Sequence, residues 1–176
     1  MQIVLSAHFD IAKPVPFIKL DEGKLTGLID NFAGVFVAYQ AARKTGIPLF
    51  LTNFEETGMK GAREVAKKLN KDTLVIVVDT TRDAKDKDGY IGNVYNLKLP
   101  KKLPSKLFIM PGYFEETEDE TWIYGHEFDF PCLYFGVPIP HDLDYHATNN
   151  SIKISTIDKS INVLIAVIKH LQGVSS

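Results

Sequence analysis

Hydrophobic and polar positions alternate between two rhythms along the first half of the chain. Gln2–Ala7 carries Ile3, Val4 and Leu5 and reads as a strand. Pro14 and Pro16 then break the pattern, which predicts a loop to about Gly27. From Asn31 to Lys44 the period becomes helical, with Phe32, Val35, Phe36 and Tyr39 on one face, and Gly46-Ile47-Pro48 ends it. Leu49–Phe54 is a second strand. Lys60–Leu69 is a helix with Ala62, Val65 and Leu69 inward. Thr73–Val78 is a third strand. Its unbroken apolar run predicts burial on both faces. Strand, helix, strand, helix, strand is the order of a sheet with parallel members and crossover helices.

The second half is less regular. Gly92–Leu97, Lys106–Met110 and Pro131–Phe135 are candidate strands. Ser155 or Thr156 is placed to cap a last helix, whose apolar face is Ile157, Ile161, Leu164, Ile165, Ile168 and Leu171. The pattern predicts one α/β domain over residues 1–176 with helices on both faces of the sheet.

Composition narrows the chemistry. Twenty basic and 22 acidic residues leave a net charge of −2, which gives nucleic acid or an anionic membrane no electrostatic purchase. No stretch reaches the ~20 apolar residues of a membrane span. The start has no basic segment ahead of its apolar residues, so it does not read as a signal peptide, and the cytoplasm is the expected compartment. The lone Cys132 excludes an internal disulfide and a thiolate cluster. Any metal must be held by His and carboxylate.

Such residues follow each predicted strand of the first half. Strand one ends in His8-Phe9-Asp10, strand two in Glu55-Glu56, and strand three in Asp79. Ligands of open α/β sheets bind beyond the carboxyl ends of the strands. Asp30 precedes the first helix on that same edge, and His146 precedes the last helix. Singly, each fits a turn or a solvated loop. Jointly they crowd acids at one edge, with no Lys or Arg at a predicted strand end, and such acids need a cation or protons. A mixed His and carboxylate set suits zinc, cobalt or manganese better than magnesium or calcium. These acids and the two histidines exceed the needs of one tetrahedral ion and would serve two.

The ordered motifs are Ala7-His8-Phe9-Asp10, Asp30-Asn31-Phe32-Ala33-Gly34, Glu55-Glu56-Thr57-Gly58-Met59-Lys60-Gly61-Ala62, Val77-Val78-Asp79 and Tyr145-His146-Ala147-Thr148. Together they resemble the co-catalytic dizinc exopeptidases: the zinc aminopeptidases of the secreted bacterial type and of the archaeal tetrahedral-shell type. The resemblance implies a three-layer α/β/α fold with a mixed, mostly parallel sheet. It implies His8 and Asp79 as ligands of one ion, Glu56 and His146 of the other, and Asp30 as the bridge. It also implies a cis peptide after Asp30, Asp10 orienting the His8 imidazole, and Glu55 as general base toward a water between the ions.

The sequence departs from that family in places. The first motif lies almost at the start. The step of 20 positions from Asp10 to Asp30 leaves no room for the inserted β-rich domain of the shell-forming type, so a large shell built that way is not expected. Phe32 stands where relatives often carry a small or basic residue, which would alter a specificity pocket. No motif selects the side chain that assists the oxyanion; Tyr124, His126, His141 and Tyr145 are the substrate-binding candidates. Glu115–Glu120 reads as a solvated loop, Cys132 as an inert core thiol, and Phe114, Trp122, Phe128 and Phe130 as core packing or a pocket wall.

The expected activity is a two-metal hydrolase cleaving N-terminal residues from short peptides. An N-acyl-amino-acid deacylase, a dipeptidase and a non-catalytic metal-binding member are the alternatives. Small peptides are the expected partners. An oligomer is compatible with the sequence but not indicated by it.

Overall fold

The computed structural model describes residues 1–15, 17–110, 119–140, 142 and 144–173. Its strands are β1 (Ile3–His8), β2 (Lys19–Asp21), β3 (Lys24–Gly27), β4 (Leu49–Thr52), β5 (Leu74–Thr81), β6 (Gly89–Tyr95), β7 (Leu107–Ile109), β8 (Cys132–Pro138) and β9 (Asn150–Lys153). Its α-helices are α1 (Phe32–Thr45), α2 (Lys60–Ala66) and α3 (Ile154–Leu171), and Trp122–Glu127 is a π-helical turn. Six strands form one sheet in the order β4-β1-β5-β8-β6-β7. β1 runs parallel to β4 and β5, and β5 to β8; β6 is antiparallel to β8 and parallel to β7. β2, β3 and β9 make a separate antiparallel sheet.

The two faces of the central strands explain the layers. Ile3, Leu5 and Ala7 of β1 join Leu74, Ile76 and Val78 of β5 in the core packed by α1 and α3. Val4, Val75 and Val77 join Ala62 and Ala66 of α2 and Ile123 of the π-turn on the other face. Successive strand side chains alternate between faces, so Ser6, His8 and Asp79 emerge on the α2 side. β1 and β5 are in register at Ser6 and Val77; two residues on, His8 stands beside Asp79. Among the described residues, no helix is long and apolar enough to cross a membrane.

Three expectations are corrected. The stretch expected as a loop to Gly27 contains the β2–β3 hairpin, turned at Glu22 and Gly23, both at positive φ. Ser155 and Thr156 lie inside the first turn of α3, whose cap position is Lys153 without a side-chain cap bond. In α1, the face with Phe32, Phe36 and Tyr39 is turned outward. The small residues Ala33, Gly34, Val37, Ala38 and Ala41 are buried, which lets the helix lie close against the sheet and α3. Gly46 ends α1 in the left-handed conformation, its N–H donating to Ala42 O.

Candidate metal centre

Adjacent strands β4, β1 and β5 release their chains side by side at one sheet edge. β1 ends at His8, which is 2% exposed. The chain after β4 brings Glu55 and Glu56. Their backbone N–H groups donate to the two carboxylate oxygens of Asp10, at 3.2 and 3.3 Å, so the loops after β1 and β4 are tied together. Gly61 makes that turn possible, because a Cβ there would come within 2.5 Å of the Asn53 backbone. Asp30 enters just before α1, and the Asp30–Asn31 peptide is cis. Buried Asn31 donates its Nδ2–H to Val78 O at 2.9 Å, fixing this junction to β5. Its amide fills the space beside Gly34, where a Cβ would sit 1.9 Å from Asn31 Oδ1. That is a physical reason for the Asp-Asn-x-x-Gly spacing.

The structure brings together all five expected ligand side chains and both accompanying acids. His8 Nε2 lies 3.4 Å from Asp30 Oδ1 and 3.4 Å from Asp79 Oδ2. His146 Nε2 lies 3.6 Å from Asp30 Oδ2 and 3.3 Å from Glu56 Oε2. His8 Nδ1 lies 3.5 Å from Asp10 Oδ1. His8, Asp30 and Asp79 form one group of donors within 4.8 Å of one another; Asp30, Glu56 and His146 form another, and so do His8, Glu55 and Glu56.

These separations test whether a metal fits. An N–H···O hydrogen bond would draw the atoms to about 2.9 Å. Two donors at ~2.0–2.2 Å from one tetrahedral ion stand about 3.3–3.6 Å apart. The observed spacing is the second kind. Asp30 Oδ1 and Glu56 Oε1 are buried without a hydrogen-bond partner, as coordinating oxygens would be. A divalent cation therefore fits the donor set.

Electrostatics agree with a site built for positive charge. Burial pushes the Glu55 carboxyl up to about 9. His8 opposes this, and the charges of Asp79, Glu56 and Asp30 reinforce it. Burial and then Asp30 raise Asp79, and the same two causes raise Glu56. Burial would depress the His8 imidazole, but Asp79 and Asp30 outweigh it and carry it to about 12. Without cations, the cluster holds protons to offset its own repulsion.

The cluster opens into a cleft of about 670 Å³. Tyr145, a substrate-binding candidate, lines it. Its hydroxyl accepts the Arg82 N–H at 3.2 Å, and the Arg82 guanidinium lies 4.3 Å from its ring centroid. β5 continues to Thr81, so Arg82 does stand at a strand end, contrary to the sequence reading. It is the one Lys or Arg among the described lining residues. Tyr124 is fully buried beneath the site, bonded to Ser6 at 3.0 Å, and is withdrawn as a substrate contact. His126 stacks on Trp122 away from the cleft, and Phe32 does not line the cleft either. His141 and Phe114 lie outside the described residues. Asp119 and Glu120 are not a solvated loop: Glu120 is buried and Asp119 half-buried, and desolvation raises both carboxyls. Glu120 accepts from Ser6 Oγ at 2.8 Å, and Asp119 accepts from Asn93 Nδ2 at 2.7 Å. No sequence signal separated these two acids from the rest of the run that begins at Glu115, whose residues 115–118 lie outside the described residues. Cys132 is a buried free thiol, and Phe130 packs in the core beside it.

No family model matches the sequence, and no curated protein matches it. Solved structures do. An aminopeptidase from the archaeon Desulfurococcus kamchatkensis superposes with a TM-score of 0.57 at 17% identity, covering 90% of this chain and 54% of its own. PhTET1-12s, a dodecamer in its asymmetric unit, gives 0.55 at 17% identity over 86% and 53%. The TET aminopeptidase of the marine-sediment archaeon Thaumarchaeota archaeon SCGC AB-539-E09 gives 0.57 at 18% identity over 90% and 55%. The chain has the fold of these archaeal aminopeptidases. It spans about half the length of each, as a mixed, mostly parallel α/β unit with helices on both faces.

Proposed function

We propose that residues 1–176 form the catalytic unit of a two-metal hydrolase that removes N-terminal residues from short peptides. One observation carries the reading: two His and carboxylate groups share Asp30, and Glu55 lies against them. His8, Asp30 and Asp79 would hold one ion; Asp30, Glu56 and His146 would hold the other. Zinc, cobalt or manganese suits these donors. Bound there, divalent ions supply charge that polarises a carbonyl and acidifies water.

The chain's own residues do the rest. Glu55, 8% exposed, takes a proton from the attacking water and returns it to the departing amine. Asp10 holds the backbone of Glu55 and Glu56 and faces His8 Nδ1, which favours the tautomer whose Nε2 lone pair points to Asp30 and Asp79. Carboxylates around the cleft, Asp83 and Asp144 among them, offer acceptors to a substrate α-ammonium, which selects the N-terminal residue.

A second reading, a dipeptidase or N-acyl-amino-acid deacylase, is favoured by Arg82, because a guanidinium pinned on Tyr145 suits a free carboxylate. Turnover by protein loaded with zinc, cobalt or manganese separates the readings. Hydrolysis of aminoacyl p-nitroanilides, abolished by chelation, is the expected result. Hydrolysis confined to dipeptides or N-acetyl amino acids moves the assignment to the second reading. Bound metal without turnover of any of them removes the catalytic reading.

A further inference from the structure

We propose that the outward face of α1 and the edge strand β4 form a two-fold interface with a second copy of this chain. The proposal is independent of the metal chemistry. Phe32, Phe36 and Tyr39 recur at helical spacing along the outer side of α1 and are 46%, 42% and 51% exposed. Leu51 of β4 is 51% exposed beside them. Tyr39 and Leu51 share a shallow groove of about 460 Å³ with Ala42, Ile47 and Leu49, bounded at the end of α1 by Arg43 and Gly46, so the patch is continuous from helix to strand. Isolated exposed apolar residues are ordinary, but a continuous aromatic patch marks a contact surface.

The strand beside it points the same way. β4 is an outer strand of the six-stranded sheet, and among the described residues it pairs only with β1. Natural edges are blunted by lysine, proline or a bulge, because open N–H and C=O groups recruit other strands. Leu49-Phe50-Leu51-Thr52 carries none of these.

Charge and area select a second copy as the occupant. Residues 31–54 contain no Asp or Glu, and their only cations are Arg43 and Lys44 at the end of α1. A partner chosen by charge would need a strongly charged face; this one is apolar apart from Arg43 and Lys44 at one end, and a second copy offers the same apolar surface. Antiparallel pairing of β4 with its copy about a two-fold axis lays one α1 along the other. The aromatic rows then cover each other, and the two basic ends stand far apart. Half-exposed side chains of this size leave roughly 100 Å² each open. The four named side chains thus supply about half of the ~800 Å² per partner of a standard interface, and the β4 edge and the groove walls add to it.

Sedimentation velocity of the full chain, from about 1 to about 100 µM, tests the proposal. The expected species is a discrete dimer, twice the 19.7 kDa chain mass, that dissociates on dilution. The double variant Phe36→Glu/Tyr39→Glu is expected to raise the dissociation constant at least ~100-fold, and Leu51→Lys at least ~10-fold. Circular dichroism and zinc content should be unchanged in both, since these side chains are exposed and lie outside the cleft. A chain that stays monomeric at the highest concentration overturns the proposal, whatever else binds that face. A dimer that survives the double variant overturns it too.

Discussion

Helix α1 begins at a cleft crowded with acids and runs away from it showing solvent a row of aromatic rings. At its amino end Asp30 is 7% exposed, within reach of His8, His146 and two more carboxylates, Asp79 and Glu56. Along its outer side Phe32, Phe36 and Tyr39 stand about half exposed, with no acidic residue on the helix. The two regions depart from ordinary solvation in opposite directions. One hides charge from water, and the other shows water apolar surface. Neither arrangement lowers the free energy of an isolated chain: burying like charges costs Coulomb and desolvation energy, and exposed rings forgo ~25 cal/mol per Å². Each would be relieved by something outside the chain, a cation in the first case and an apolar surface in the second. The forces differ in reach and in pH dependence, so the regions can be perturbed separately.

The largest expected effect lies in the cleft alone. Glu55→Gln removes the proposed proton acceptor and leaves the five expected ligand side chains in place. It should lower kcat by ~10²–10⁴ with metal content and sedimentation unchanged. Wild-type turnover by that variant, measured by steady-state kinetics beside elemental analysis, would remove Glu55 from its role. A smaller effect is expected where the regions meet. Gly34→Ala drives a methyl into the Asn31 amide that donates to Val78 O beside Asp30. Overpacking of this kind costs about 1–3 kcal/mol, more than the helix gains by losing a glycine. Urea unfolding should show that loss, and zinc titration a weaker affinity, because Asp30 is displaced with Asn31. Unchanged stability and affinity would mean the junction has slack that the packing denies.

The smallest effect is one of pH, and it belongs to the cleft only. Both raised groups stabilise the metal-free fold at low pH and lose that contribution as pH climbs through the folded value. For Glu55 the window runs from 4.5 to about 9, and for His8 from 6.5 to about 12. Metal-free protein should therefore lose stability between about pH 5 and 9. Metal ligands must shed protons, so zinc binding should release protons and tighten with rising pH. Calorimetry in buffers of different ionisation heats reads that number. Zero net release contradicts the account of the cleft, and a pH-dependent dimer would blur the two regions.

The sequence carried some of this plainly. β5 was legible because a central parallel strand is covered on both faces, and only an unbroken apolar run satisfies that. The ordering of His8, Glu55, Glu56 and Asp79 was legible because each follows an apolar run, so counting past strand ends was enough to place them at one edge. Stopping β5 at Val78 hid Arg82, since Asp79, Thr80 and Thr81 look like a turn although they continue the strand. The β2–β3 hairpin was hidden because β2 is exposed throughout and shows no apolar alternation. The orientation of α1 inverts the usual rule. Close packing on the sheet and α3 needed alanines and Gly34 inside, and the larger side chains were left outside. Asp119 and Glu120 were lost in an acidic run whose last two members turn inward, one toward Asn93 and one beneath Ser6.

The most direct test of the central claim is anomalous diffraction from crystals grown with zinc and recorded on both sides of its absorption edge. The account predicts two peaks in the cleft: one among His8, Asp30 and Asp79, the other among Asp30, Glu56 and His146. A map with density for those side chains and no anomalous peak between them would contradict it.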